Sequence, residues 1–100
     1  MTRVLLMGAA RREVEHARDV YESRVAGLGQ QFEDAVDAAT ADIAADPTRF
    51  PRTGRRGCRR HEVNGFPYGV VYRIEPTFVR VVAVAHHKRK PGYFNPRIGP

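Results

Sequence analysis

One hundred residues, 42% of them apolar, make one compact domain with a real core and leave no room for a second. A lone cysteine, Cys58, excludes an intrachain disulfide, and no stretch approaches the run of about twenty apolar residues that a membrane span needs. Charge is lopsided within a net +6: residues 1–48 hold five Arg against nine acids (−4), and residues 49–100 hold twelve Lys or Arg against Glu62 and Glu75 (+10). Val4-Leu5-Leu6-Met7 is short and apolar, bounded by Gly8, and reads as a buried strand. Gly8 and the Arg11-Arg12 pair also interrupt what a signal peptide would keep apolar, so a cytoplasmic protein is expected. Ala10, Val14, Ala17, Tyr21 and Val25 then recur at helical spacing, giving one apolar stripe. Gly27-Leu28-Gly29 breaks it, and a second stripe follows in Leu28, Phe32, Ala35, Ala39 and Ile43, broadened by Val36. The charged positions of this second helix (Glu33, Asp34, Asp37, Asp42) carry only acids, and Pro47 ends it. Two stripes with so short a break predict an antiparallel helical hairpin.

From Thr48 the pattern changes. Pro51, Gly54 and Gly57 punctuate a basic loop, and Cys58 to Val63 can form a strand. Asn64-Gly65 is a favoured hairpin turn. Tyr68 to Glu75 reads as a strand with Tyr68, Val70, Tyr72 and Ile74 on one face. Pro76-Thr77 turns the chain into Phe78 to Ala85, apolar on both faces and therefore an interior strand. The expected order is β-α-α-β-β-β across one domain, residues 1–100: an α+β fold with a helical hairpin packed on an antiparallel sheet. Leu5, Val14, Tyr21, Phe32, Ile43, Val70 and Val82 are expected to be mostly buried.

Six arginines (Arg49, Arg52, Arg55, Arg56, Arg59, Arg60) fall within twelve residues without one acid. Such density costs self-repulsion and points to a polyanionic or acidic partner rather than to a merely solvated surface. The chain shows none of the RNA-recognition, helix-turn-helix or zinc-finger signatures of common nucleic-acid-binding modules, although composition alone leaves such a module open. Cys58 and His61 form a Cys-x-x-His pair, but two ligands do not make a structural zinc site, and no metal or cofactor is expected.

Local signatures add a family likeness. They are Tyr21-Glu22, Gly27-Leu28-Gly29 with Phe32, Asp46-Pro47 followed by Phe50-Pro51, and Arg59-Arg60. Phe66-Pro67-Tyr68 with Val71-Tyr72, and Ala83-Val84-Ala85-His86 leading to Arg89, Pro91 and Tyr93-Phe94, complete the set. In their order and spacing, from about Val4 to Arg97, the chain resembles the RelE/ParE toxins of bacterial type II toxin–antitoxin systems. The resemblance implies growth inhibition, a small antitoxin encoded beside the toxin, and a hetero-oligomer of the two.

Two activities exist within that superfamily. RelE-like members cleave messenger RNA on the ribosome, whereas ParE-like members inhibit DNA gyrase. Metal-free RNA cleavage needs a base for the 2′-hydroxyl, cations for the phosphorane and an acid for the leaving oxygen. Aligned on Val71-Tyr72, the arginine that RelE-like nucleases carry on this strand falls at Gly69, which supplies neither charge nor proton. Arg59, Arg60, Arg73, His87, Arg89 and Tyr93 are the candidate substitutes if the chain is a nuclease. The Gly27-Leu28-Gly29 turn, the Phe66-Pro67-Tyr68 entry and the His86…Arg89-x-Pro91 tail match the ParE side better. On that reading Arg60, His86, Lys88, Arg89, Lys90 and Tyr93 form a target-binding surface for gyrase. The alternatives are a RelE-like nuclease with the ribosome and mRNA as partners, or an inactive relic. Tyr93 and Phe94 either stack on a base or staple the C-terminal tail to the sheet. His86 and His87, adjacent on a strand, are expected to face opposite sides.

Overall fold

The computed structural model describes residues 2–54 and 56–98; Arg55, one of the six clustered arginines, lies outside them. Strand β1 (Val4–Leu6) leads into helices α1 (Gly8–Arg24) and α2 (Leu28–Ala45). Strands β2 (Cys58–Glu62), β3 (Tyr68–Ile74) and β4 (Val79–His86) follow, and a short 3-10 turn (Asn95–Arg97) closes the tail. The element order is the expected one, and the fold is α+β.

The sheet runs β1-β4-β3-β2. β2, β3 and β4 are antiparallel as expected, but β1 joins β4 in parallel, so the sheet is mixed. The helical hairpin is the cause. It carries the chain out and back, leaving the end of α2 beside the start of β1, where Thr2 N–H donates to Ala44 C=O at 3.1 Å. β2 therefore starts at the same end as β1, and two antiparallel steps later β4 again runs the same way.

The hairpin stays tight because Gly29 lies under α1. A Cβ there would meet the Arg18 carbonyl oxygen at 2.8 Å, too close for any other residue. Glu22 caps the turn, accepting from Gly27 N–H at 2.9 Å and Gly29 N–H at 3.0 Å. Ala10, Ala17, Phe32, Val36, Ala39 and Ile43 are buried against Val70, Tyr72, Val79, Val81 and Val84. Tyr21, Phe32, Phe66 and Tyr68 form an aromatic cluster with ring centroids 5.0–6.3 Å apart, mostly edge-on.

Three large apolar positions depart from expectation, one of them Ile74, the last residue of β3, which is 42% exposed. Val25 is 58% exposed because α1 ends at Arg24 and Val25 is its extended C-cap. Leu5 is 44% exposed, since β1 is an edge strand of three residues and Leu5 alternates away from the face the helices cover.

A bulge gives β4 its two-sided apolarity. Val71 pairs with Ala83 and Tyr72 with Val81, leaving Val82 as the extra residue. Val81 and Val84 thus face the helices, while Val82, Ala83 and Ala85 face the other side with Cys58 and Val71. Phe94, 4% exposed, folds back to cover that second face, with Tyr93 and Ile98 packed beside it.

Candidate functional site

The C-terminal segment is held by one carboxylate. Glu13, on α1, accepts from Tyr93 Oη at 2.5 Å and from Arg97 Nη1 at 2.8 Å and Nη2 at 3.2 Å. The same carboxylate accepts from Val84 N–H at 3.0 Å, and Arg97 Nη1 donates to Val82 C=O at 3.0 Å. These bonds lie where β1 has ended: Met7 N–H still reaches Val81 C=O, and past it the ion pair satisfies the β4 backbone that no strand covers. Burial first, then Glu13, raises the Tyr93 hydroxyl far above its ordinary value, so it stays protonated and fixed. The guanidinium of Arg89 lies over the Tyr93 ring at 4.0 Å and that of Arg97 at 5.1 Å. The tail is stapled to the sheet, and the Tyr93 ring already carries a cation.

A second network lies across the sheet. Arg60 Nε donates to Glu62 Oε2 at 2.6 Å, and Nη2 reaches Ala85 C=O at 3.4 Å. Glu62 Oε1 meets His87 Nε2 at 2.6 Å. Burial alone would raise the Glu62 carboxyl; its bonds to Arg60 and His87 outweigh this and leave it below its ordinary value. The Arg60 guanidinium crosses Gly69 so closely that a Cβ at 69 would fall inside it. The place where a nuclease-like arginine is missing is therefore filled by a cation from the neighbouring strand. Glycine at 69 is what admits it.

Between these networks lies a cleft of about 310 Å³. Arg60, His86, His87, Arg89, Lys90 and Tyr93 all line it, so the fold brings together six of the sequence candidates. His86 and His87 do diverge: His86 packs edge-on to Tyr68, 5.0 Å between centroids, and its Nδ1 accepts from Lys88 N–H, while His87 turns to Glu62. Lys88 is exposed beside the cleft without lining it.

Arg59 and Arg73 stay apart from this group. Arg59 pairs across from buried Tyr72 and donates to Phe50 C=O at 2.7 Å, because neighbours on a strand point to opposite faces. Arg73, opposite Cys58, sits at the far end of the sheet. Cys58 and His61 are also split. Cys58 is buried under the tail, which raises its thiol pKa, and His61 stacks on Phe50 at 3.8 Å and bonds to Asp42 at 2.9 Å. Among the described residues, no helix is long and apolar enough to cross a membrane.

The profile of the family described as the ParE toxin of type II toxin–antitoxin system, parDE, matches residues 4–91, from β1 through the cationic turn. The chain belongs to the ParE toxin family. Its fold is similar to a solved structure described as the chromosomal ParDE TA system from P. aeruginosa, with a TM-score of 0.73 at 10% identity. That likeness covers 86% of this chain and 96% of the other. No curated protein matches it.

Three residues of this ParE-family site escaped the sequence reading: Glu13, Glu62 and Arg97. Glu13 had a signal, since it falls three residues after Ala10 and four before Ala17, on the flank of the buried stripe. Glu62 had half of one, lying two residues from Arg60 on the same strand face, but its bond to His87 spans 25 residues. Arg97 had none, because Glu13 is 84 residues distant in sequence.

Proposed function

We infer that this ParE-family toxin acts on DNA gyrase and is neutralised by a small, acidic antitoxin encoded beside it. Among the cellular compartments, the cytoplasm holds both proposed partners. The reading rests on the family match and on one observation at the cleft: the Tyr93 hydroxyl and the Glu62 carboxylate are both already bound. Tyr93 is held by Glu13, and Glu62 is held by Arg60 and His87. Such an arrangement favours binding over cutting, since the Tyr93 hydroxyl is committed to Glu13 and holds its proton tightly. Arg60, His86, Lys88, Arg89 and Lys90 would face the target, and acidic residues of the antitoxin would cover the Arg and Lys side chains among them, each desolvated pair contributing up to a few kcal/mol.

One observation favours a second reading, the ribosome-dependent nuclease. Arg60 over Gly69 restores the missing cation, and His87, Arg89 and Tyr93 share its cleft. A supercoiling assay run beside a ribosome-programmed cleavage assay decides between them. We expect loss of supercoiling or a trapped gyrase cleavage complex, with mRNA intact. Codon-linked mRNA cuts with gyrase unaffected would establish the nuclease instead. Co-purification with the product of the neighbouring reading frame tests the antitoxin, and its failure would remove that partner.

A further inference from the structure

We propose that the cleft between β2, the end of β4 and the 88–94 turn binds backbone phosphates of duplex DNA without cleaving them. The setting, DNA held by gyrase, rests on the gyrase-directed reading above; the binding itself is a property of this chain. The cations come from separate elements, Arg60 from β2 and Arg89 and Lys90 from the turn, with the His87 ring just past β4 beside them. Arg60 is fixed in advance by Glu62 and the Ala85 carbonyl, with Nη1 left without a partner among the described residues. Lys88, Arg89 and Lys90 make no ion pair among the described residues. Thr53 adds a hydroxyl to the same wall. Cations and hydroxyls of this kind position a protein on phosphates without reading sequence.

Duplex rather than single strand follows from the aromatic residues. Proteins that hold single strands stack unpaired bases on exposed rings. Here Phe94 is buried under the tail, and the Tyr93 ring carries Arg89 at 4.0 Å with its hydroxyl fixed to Glu13. Neither Tyr93 nor Phe94 is free to take a base. A duplex, whose bases are already stacked, offers what remains to be bound: its phosphates.

The test is fluorescence anisotropy of a short labelled duplex of arbitrary sequence against the purified, antitoxin-free chain over a range of salt. Binding should weaken steeply with salt, and the Arg89→Gln/Lys90→Gln variant should bind about tenfold more weakly, its salt slope smaller by about 2. Thermal melting should be unchanged in that variant. Arg11→Gln/Arg12→Gln removes the same charge from α1 and should leave binding nearly intact. Equal loss in the two variants would mean net charge, not this cleft, and would overturn the proposal. So would absence of duplex binding, tighter binding of the single strand, displacement by inorganic phosphate as efficient as by duplex, or a cut duplex. Gyrase inhibition by a chain that ignores DNA overturns this proposal alone, and DNA binding without gyrase inhibition overturns the gyrase reading alone.

Discussion

The two faces of the sheet are held by different physics. On the helix side, two apolar stripes lie over Val70, Tyr72, Val79, Val81 and Val84, with Tyr21, Phe32, Phe66 and Tyr68 filling the wide end. On the tail side, a few small residues and Phe94 make a thin core, and charges do much of the fastening: Glu13 with Arg97 and Tyr93, Glu62 with Arg60 and His87. Apolar packing is tolerant of detail and makes the fold; bonded charges are directional and aim side chains. The face that carries the cationic cleft is accordingly the one fastened by charge. A stable platform on one side leaves the other free to present cations that repel one another.

One substitution on each face separates the two kinds of support. Phe32→Ala should cost about 3–5 kcal/mol of unfolding free energy, because a fully buried ring leaves a cavity among three other aromatics. Chemical denaturation measures it; a loss below about 1 kcal/mol would mean that the helix-side core is not the main support. Glu13→Ala comes next, at about 2–3 kcal/mol, since it strands Arg97 and the Val84 N–H together. The tail should loosen with it, so that hydrogen exchange at Tyr93 to Arg97 speeds up while α2 stays protected. Uniform loosening across both faces would refute the division.

Smaller effects sharpen the picture. The Glu62 carboxyl lies below its ordinary value of 4.5. A depressed acid contributes stability that is present above that ordinary value and lost as pH falls through the lower, folded one. The contribution is under about 1 kcal/mol because the side chain is 56% exposed. Titrating the melting temperature from neutral pH downward should show a small acid-side loss, absent in Glu62→Gln. An identical curve for the variant would remove Glu62 from the account. Smallest of all in stability is Arg89→Ala, expected to leave the melting temperature nearly unchanged, because its guanidinium is exposed and stacks on one ring. Toxicity should nevertheless disappear while antitoxin binding persists. A growth-arrest assay of a stable, fully toxic Arg89→Ala protein would end the claim that this turn meets the target.

Local patterns along the chain specify the elements and the family. Apolar residues spaced by three and four gave two helices, alternation and the Asn64-Gly65 and Pro76-Thr77 turns gave three strands, and local motifs in their order gave the ParE likeness. These signals are local, so they survive in one dimension. The gathering of Arg60, His87, Arg89 and Tyr93 was foreseen as a set of candidates, yet their geometry was not. Only the tertiary structure decided that β1 lies parallel to β4, that Val82 bulges, and that Arg59 turns away from Arg60. It alone decided that Arg60 stands in the place of a residue at 69, and that Glu13 reaches across 84 residues to hold the tail. Each is a contact between distant segments, set by how two faces of one sheet are covered, and sequence spacing carries no record of that.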